Sequence, residues 1–277
     1  ASCLVGSEMC IRDSTMVMIS GGCDMSVGGQ LALCGMFAAT LNVTYGLPTF
    51  VVVILTLMLG ALFGLINGLL MNVFNIMPLI VTLGTMLFFQ GASYIISGGV
   101  AIFGLSDSFK FIGQGYLGFV PLPIVILLVI GMLGYIVLHK TYFGRQIYAM
   151  GGNPEAARLA GVNIKKYRLA VFTITGILAA VAGIIMAART GSAQPSAGAS
   201  YPFDCMTAVV LGGVSFAGGS GSMLGAMMGV IISGVLNNGM QLIGMDSNTI
   251  NCVKGIVLLL PIGIDSVQRT GKKAKKV

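Results

Sequence analysis

The chain has 277 residues, 56% hydrophobic and 8% charged, with 15 Lys and Arg against 8 Asp and Glu for a formal net charge of +7. Soluble domains carry about 25% charged residues, so this composition excludes a disordered chain or a disulfide-stapled secreted domain and argues against a soluble enzyme. What remains is an all-α, polytopic integral membrane protein, and 41 glycines suit one, because small residues let helix backbones approach closely in lipid.

A bilayer-spanning helix needs about 20 mostly apolar residues. Residues 16–25 read as the end of an earlier helix, and spans follow at about 28–45, 48–73, 78–96, 121–138 and 167–188. The apolar region 205–243 is too long for one crossing. Its stretch Ala217-Gly218-Gly219-Ser220-Gly221-Ser222 is a poor helix interior, since each Gly costs about 1 kcal/mol relative to Ala. This predicts a short helix ending near Phe216, a hinge at Gly218, Gly219 and Gly221, and a span over about 223–243. A last span covers about 249–264, for about eight crossings with glycine-broken helices.

The charges give a topology. No Lys or Arg occurs between Asp13 and Lys110; Lys140, Arg145, Arg158, Lys165, Lys166 and Arg168 cluster in 139–168, and Arg269, Lys272, Lys273, Lys275 and Lys276 in the tail 268–277. Basic loops stay cytoplasmic, and an even number of crossings separates the two clusters, so both face inside and 99–120 faces out. A single crossing at 205–243 would put the tail outside. The tail reads as a contact for anionic lipid headgroups, not nucleic acid.

Cys23, Cys34, Cys205 and Cys252 lie in or beside apolar runs and read as small buried hydrophobes, with no metal-ligand spacing. No phosphate-binding loop is present. The lone histidine, His139, sits beside Lys140 at a helix end and offers no positioned base for a serine nucleophile, so no catalytic residue is expected. Asp204 and Asp265 are read as interfacial caps, and Lys254 as a group that snorkels or pairs.

Asp24 is more informative. It lies in Gly21-Gly22-Cys23-Asp24-Met25-Ser26-Val27-Gly28, beside a span, where glycines let backbone unwind and offer polar groups to a cavity. It could equally cap the helix starting near Val27. A weak echo, Gly212-Gly213-Val214-Ser215-Phe216-Ala217-Gly218-Gly219, precedes the span from Met223. Paired glycine-broken helices point to a transporter's binding path, which makes Gly21, Gly22, Asp24, Ser26, Gly28, Gly212, Gly213 and Ser215 the candidate pathway residues.

The cytoplasmic loop carries Gly152-Asn153-Pro154-Glu155-Ala156-Ala157-Arg158-Leu159-Ala160-Gly161. Asn153 suits an N-cap, Pro154 the first helical position, Glu155 the first turn and Gly161 the stop. This predicts a two-turn helix with a small face of Ala156, Ala157 and Ala160, suited to a partner's groove or to the lipid surface.

At these three stretches the sequence resembles the permease subunits of bacterial ribose-type monosaccharide ABC importers. Residues 21–28 resemble that family's Gly-Gly-Ile-Asp-Leu-Ser-Val-Gly, 152–161 its Glu-Ala-Ala-type coupling loop, and 208–221 its Gly-Gly-x-Ser-x-x-Gly-Gly-x-Gly segment; the resemblance covers about 15–265. Cys23 and the stretch Phe203-Asp204-Cys205-Met206-Thr207 depart from its pattern. The resemblance implies about ten helices, two of them lost at the N-terminus here, and both termini inside the bacterial plasma membrane. It implies a second permease chain as a homodimer, a cytoplasmic ABC ATPase that supplies ATP and Mg, no cofactor in this chain, and an extracytoplasmic sugar-binding protein. Asn153, Pro154, Glu155, Ala156, Ala157, Arg158 and Gly161 would then couple to the ATPase. A branched-chain amino-acid permease and an ion-coupled secondary transporter stand as alternatives; a zwitterion would call for more charge than these spans hold. Separately, 4–13 resembles the in-frame translation of a transposase mosaic-end sequencing adapter, so 1–14 is expected to be non-native and 15–277 a single permease domain.

Overall fold

In the computed structural model, residues 14–246, 248–259 and 263 are described; the adapter-like 1–13, Asp265 and the basic tail lie outside them. A short helix α1 (14–19) leads through an extended stretch to α2 (Val27–Val43), α3 (Thr49–Phe74) and α4 (Pro78–Ser97). Then come strand β1 (Ile102–Phe103), helix α5 (Asp107–Gln114), the hairpin β2 (Tyr116–Leu117) and β3 (Val120–Pro121), and α6 (Leu122–Lys140). Helices α7 (Tyr142–Gly152), α8 (Pro154–Leu159) and α9 (Ile164–Thr190), strand β4 (Ser192–Ala193), α10 (Tyr201–Leu211), α11 (Met223–Leu242) and α12 (Asn248–Leu259) complete the chain. Strand β1 pairs antiparallel with β4.

Among the described residues five helices, α3, α4, α6, α9 and α11, are long and apolar enough to cross a membrane, and α2, α10 and α12 are shorter apolar helices. The spans expected at 48–73, 78–96, 121–138, 167–188 and 223–243 match the five long helices closely, because apolar runs end at residues that stop or start helices, while the end of the span expected at 249–264 lies outside the described residues. Asn75 takes a left-handed conformation after α3, Pro78 opens α4, and Gly191 caps α9.

Helix α9 is the central post. It crosses α3 where Gly60, Gly64 and Gly176 interlock; a Cβ at Gly60 would lie 2.5 Å from that of Ala180, and one at Gly176 would run into the Gly60 carbonyl. Without side chains in the way, dispersion between the two backbones replaces the hydrophobic drive that lipid cannot supply. A buried core of Leu31, Met71, Val171, Phe172 and Ile185 fills the remaining space.

The bundle has two ends. Helices α7 and α8 mark one; α5, β1 and β4 mark the other, where Gln114 donates to the Arg189 carbonyl at 3.0 Å. Helices α2 and α10 do not start at an end. A Cβ on Gly29 would lie 2.7 Å from the carbonyl of Met86, nine residues into the twenty of α4, and one on Gly28 would lie 2.9 Å from Pro202. Both helices therefore begin about 12 Å inside the bundle, at about 1.5 Å per residue.

Three expectations need correction. The short helix of the 205–243 region is Tyr201–Leu211 and ends five residues before Phe216, because Gly213 turns into a left-handed conformation (φ +76°). The basic loop is not one short helix in coil: Tyr142–Gly152 forms α7 ahead of α8, capped by the Thr141 hydroxyl, which accepts from the Gly144 amide at 3.3 Å. Cys252 is exposed, whereas Cys23, Cys34 and Cys205 are buried as expected.

Candidate functional site

The break before α2 holds a polar cluster. Asp24 is 4% exposed, and its Oδ1 accepts from the Ser26 amide at 2.8 Å and the Ser26 hydroxyl at 2.6 Å. The Ser26 Oγ in turn accepts from Gln30 Nε2 at 2.9 Å and from Asn67 Nδ2 of α3 at 2.8 Å. Thr175 of α9 faces the carboxyl group and donates to the Phe172 carbonyl. The Thr82 hydroxyl of α4 reaches the Cys23 carbonyl at 3.3 Å. Asp24 thus closes a turn onto the residue two positions ahead and leaves the first free amides of α2 uncapped. Among the described residues, Gln30 Oε1 and Asn67 Oδ1 are buried without a hydrogen bond, and Asp24 Oδ2 has only the facing Thr175 hydroxyl nearby, a costly arrangement.

The candidate pathway glycines divide by contact. Gly28 packs on the 198–202 turn, and Gly22 on Val17 and Pro78. Gly212 packs on Gly225 and Ala226 where α10 crosses α11, and Gly213 has open space around its Cα. Ser215 is buried in the following turn, its amide donating to the Ser220 carbonyl at 3.0 Å.

Three glycine stretches far apart in sequence meet at the α7 end. A Cβ at Gly218 would lie 2.6 Å from the Cα of Gly21 and 2.9 Å from the carbonyl of Gly151. One at Gly151 would lie 2.7 Å from the amide nitrogen of Gly219, which donates to the Ile19 carbonyl at 2.9 Å. Tyr148 of α7 donates to the Gly221 carbonyl at 2.7 Å, and burial raises its hydroxyl pKa above the ordinary tyrosine value. Gly218, Gly219 and Gly221 all have positive φ, which other residues rarely adopt, so this backbone path is restricted to glycine.

Helix α8 projects from this junction. The Asn153 side chain accepts from the Ala156 amide at 3.1 Å, Pro154 occupies the first turn with Glu155, and Gly161 ends the helix at φ +85°. The expected alanine face is split. Ala157 turns inward and is 4% exposed; Ala156 and Ala160 face out with Glu155 and Arg158, beside Leu159 at 90% exposed. Ala157 lies about 100° around the helix from Ala156, on the side that turns toward the bundle.

Sequence reasoning missed Gln30, Asn67 and Thr175, although amides inside apolar runs are a usable signal. It also missed an open cavity of about 110 Å³ between α2, α9 and the 192–197 segment, lined by Leu31, Met36, Met186, Thr190, Gln194 and Ser196. Non-helical backbone at membrane depth is tolerated where it lines such a space. Lys254, read as a group that snorkels or pairs, pairs at 2.8 Å, and its partner is Asp204, read as an interfacial cap.

A bundle of long apolar helices with two more starting inside it, around buried polar groups, is the architecture of a membrane transport protein. The family described as branched-chain amino acid transport system / permease component matches residues 14–262, and the chain belongs to it. The chain is similar to the ribose import permease protein of Bacillus subtilis (strain 168), 40% identical over 253 residues, 91% of this chain and 78% of that protein. It is 36% identical to the galactose/methyl galactoside import permease protein of Haemophilus influenzae over 275 residues, 93% of this chain and 82% of that one. It is 34% identical to the xylose transport system permease protein of the same species over 311 residues, 90% and 83% of the two chains. No solved structure matches it.

Proposed function

We propose that the chain is the membrane permease of an ATP-driven importer and forms the path of a ribose-type monosaccharide. The observation that carries this reading is the junction of Gly21, Gly151, Gly218 and Gly219. It fastens α7, and through it α8, to the segments that lead out of α1 and out of α10. A push on α8 would therefore move both glycine-broken parts of the bundle together. A cytoplasmic ATPase grips α8 through Leu159, Glu155 and Arg158; ATP and Mg act in that partner, and this chain supplies no catalytic group. A second copy of the permease and an extracytoplasmic sugar-binding protein complete the importer.

About eight crossings in the plasma membrane, with 139–168 and the basic tail inside, agree with the distribution of Lys and Arg. A sugar is favoured over a branched-chain amino acid because the sugar-permease relatives are 34–40% identical over at least 90% of the chain. The test is ATP-driven D-ribose uptake by the reconstituted importer. Uptake is expected only with permease, ATPase and binding protein together. Uptake by this chain alone on an ion gradient would overturn the reading.

A further inference from the structure

Among the described residues two ion pairs occur. Lys110 and Asp107 lie on the exposed α5. The other joins Lys254 of α12 to Asp204 in the first turn of α10, and it lies deep in the apolar zone. Asp204 is two residues from Pro202, which abuts Gly28, and two from Met206, which clusters with Cys23, Met25, Met86 and Leu258. Unlike the sealed Asp24 cluster, this pair is partly open: the Lys254 side chain is 22% and the Asp204 side chain 14% exposed.

Ionisable groups at this depth face the bundle interior or a water-filled space, because hydrocarbon cannot solvate them. The pattern of α12 agrees. Asn251, Lys254 and Leu258 follow one another at helical spacing on one stripe, with Asn251 exposed. Cys252, Ile256 and Leu259 form a stripe on the other side of the helix, all exposed and apolar. Helix α12 thus carries a polar edge at Asn251 and Lys254 and an exposed apolar side at Cys252, Ile256 and Leu259.

We infer that the Asp204–Lys254–Asn251 face is the wall of the translocation path and that the ion pair contacts the passing sugar. This rests on the permease reading above. A polyol matches the pair chemically: each hydroxyl accepts from the Lys254 ammonium and donates to the Asp204 carboxylate, so contacts exchange without leaving either charge bare. The Asp24 cluster, closed in on α3 and α9, holds the break in α2 together and does not line the path.

The test uses the complete importer with Cys3→Ser, Cys10→Ser and Cys252→Ser as background, the other three cysteines being buried. Asn251→Cys and Ile256→Cys both leave the ion pair intact. A charged, water-soluble methanethiosulfonate is expected to label Asn251→Cys at least tenfold faster than Ile256→Cys. Equal rates overturn the inference. So does a disulfide between Asn251→Cys residues of two copies, which would make this face a contact between permeases. Lys254→Met is expected to raise KM for D-ribose about tenfold, with Lys254→Arg within about threefold of the unsubstituted importer; an unchanged KM in Lys254→Met overturns the sugar contact. The labelling contrast needs no sugar, so it stands or fails apart from the permease reading. Absence of ATP-driven D-ribose uptake by the unsubstituted importer would overturn that reading instead.

Discussion

The amide of Gly219 donates to the carbonyl of Ile19 at 2.9 Å, across 200 residues of sequence, with Gly151 packed against both. This bond joins the turn after α10 to the end of α1 at the point where α7 hands over to α8. Any side chain at Gly151 would have to displace one of two backbones that are themselves bonded to each other.

Gly151→Ala is therefore expected to separate the junction. Overpacking costs about 1–3 kcal/mol, and here the obstacle is backbone, which yields less readily than a flexible side chain. Membrane insertion should persist while ATP-coupled uptake falls at least tenfold. Normal uptake with normal ATP hydrolysis would remove the junction from the coupling route.

The outward face of α8 makes a separate prediction. Leu159→Ala and Glu155→Arg touch nothing buried, so thermal stability in detergent should not change measurably, while co-purification of the ATPase is lost. Gly161→Pro should uncouple uptake as well, because proline holds φ near −65° and Gly161 sits at +85°. Retained ATPase binding in all three would exclude α8 as the docking site.

Ser26 is the hub of the buried polar cluster. Ser26→Ala deletes the hydroxyl that bonds Asp24, Gln30 and Asn67; Asp24 keeps the backbone amide at position 26, but the side-chain nitrogens of Gln30 and Asn67 lose their partner, at about 1–3 kcal/mol for each buried group. A marked fall in melting temperature is expected, larger than for Thr82→Val, which removes a weaker bond to the Cys23 carbonyl. Equal melting temperatures for the two variants would contradict the hub role.

Tyr148 links α7 to Gly221 through its hydroxyl. Burial raises its pKa in the folded chain, so folding favours the protonated form. Its contribution is complete below the unfolded value of about 10 and is lost as pH rises through the folded value. Tyr148→Phe should cost about 1 kcal/mol at neutral pH and flatten the alkaline part of the stability profile. An identical alkaline profile in the variant would assign that loss to other groups.

The apolar helices were legible because their lengths match a bilayer and their ends carry Pro, Gly or Asn. Asn153, Pro154 and Gly161 announced α8 for the same local reason. The partners of Asp24 were not legible: Asn67 lies 41 residues from Ser26 along the chain and meets it only where α3 packs against the start of α2. That Lys254 snorkels or pairs is legible, but its partner is not, because Asp204 lies fifty residues away and the two meet only when the chain turns back on itself.

Composition, apolar run length and the placement of Lys and Arg, read from the residues alone, establish that this is a multi-span helical membrane protein with glycine-broken segments and a capped helix between two spans. Only the tertiary structure decides which glycines touch, which carboxylate is sealed and which is paired, and which side of α12 is polar. The first set depends on interactions within a few residues of one another. The second depends on backbones from distant segments reaching contact, a distance that no stretch of sequence encodes by itself.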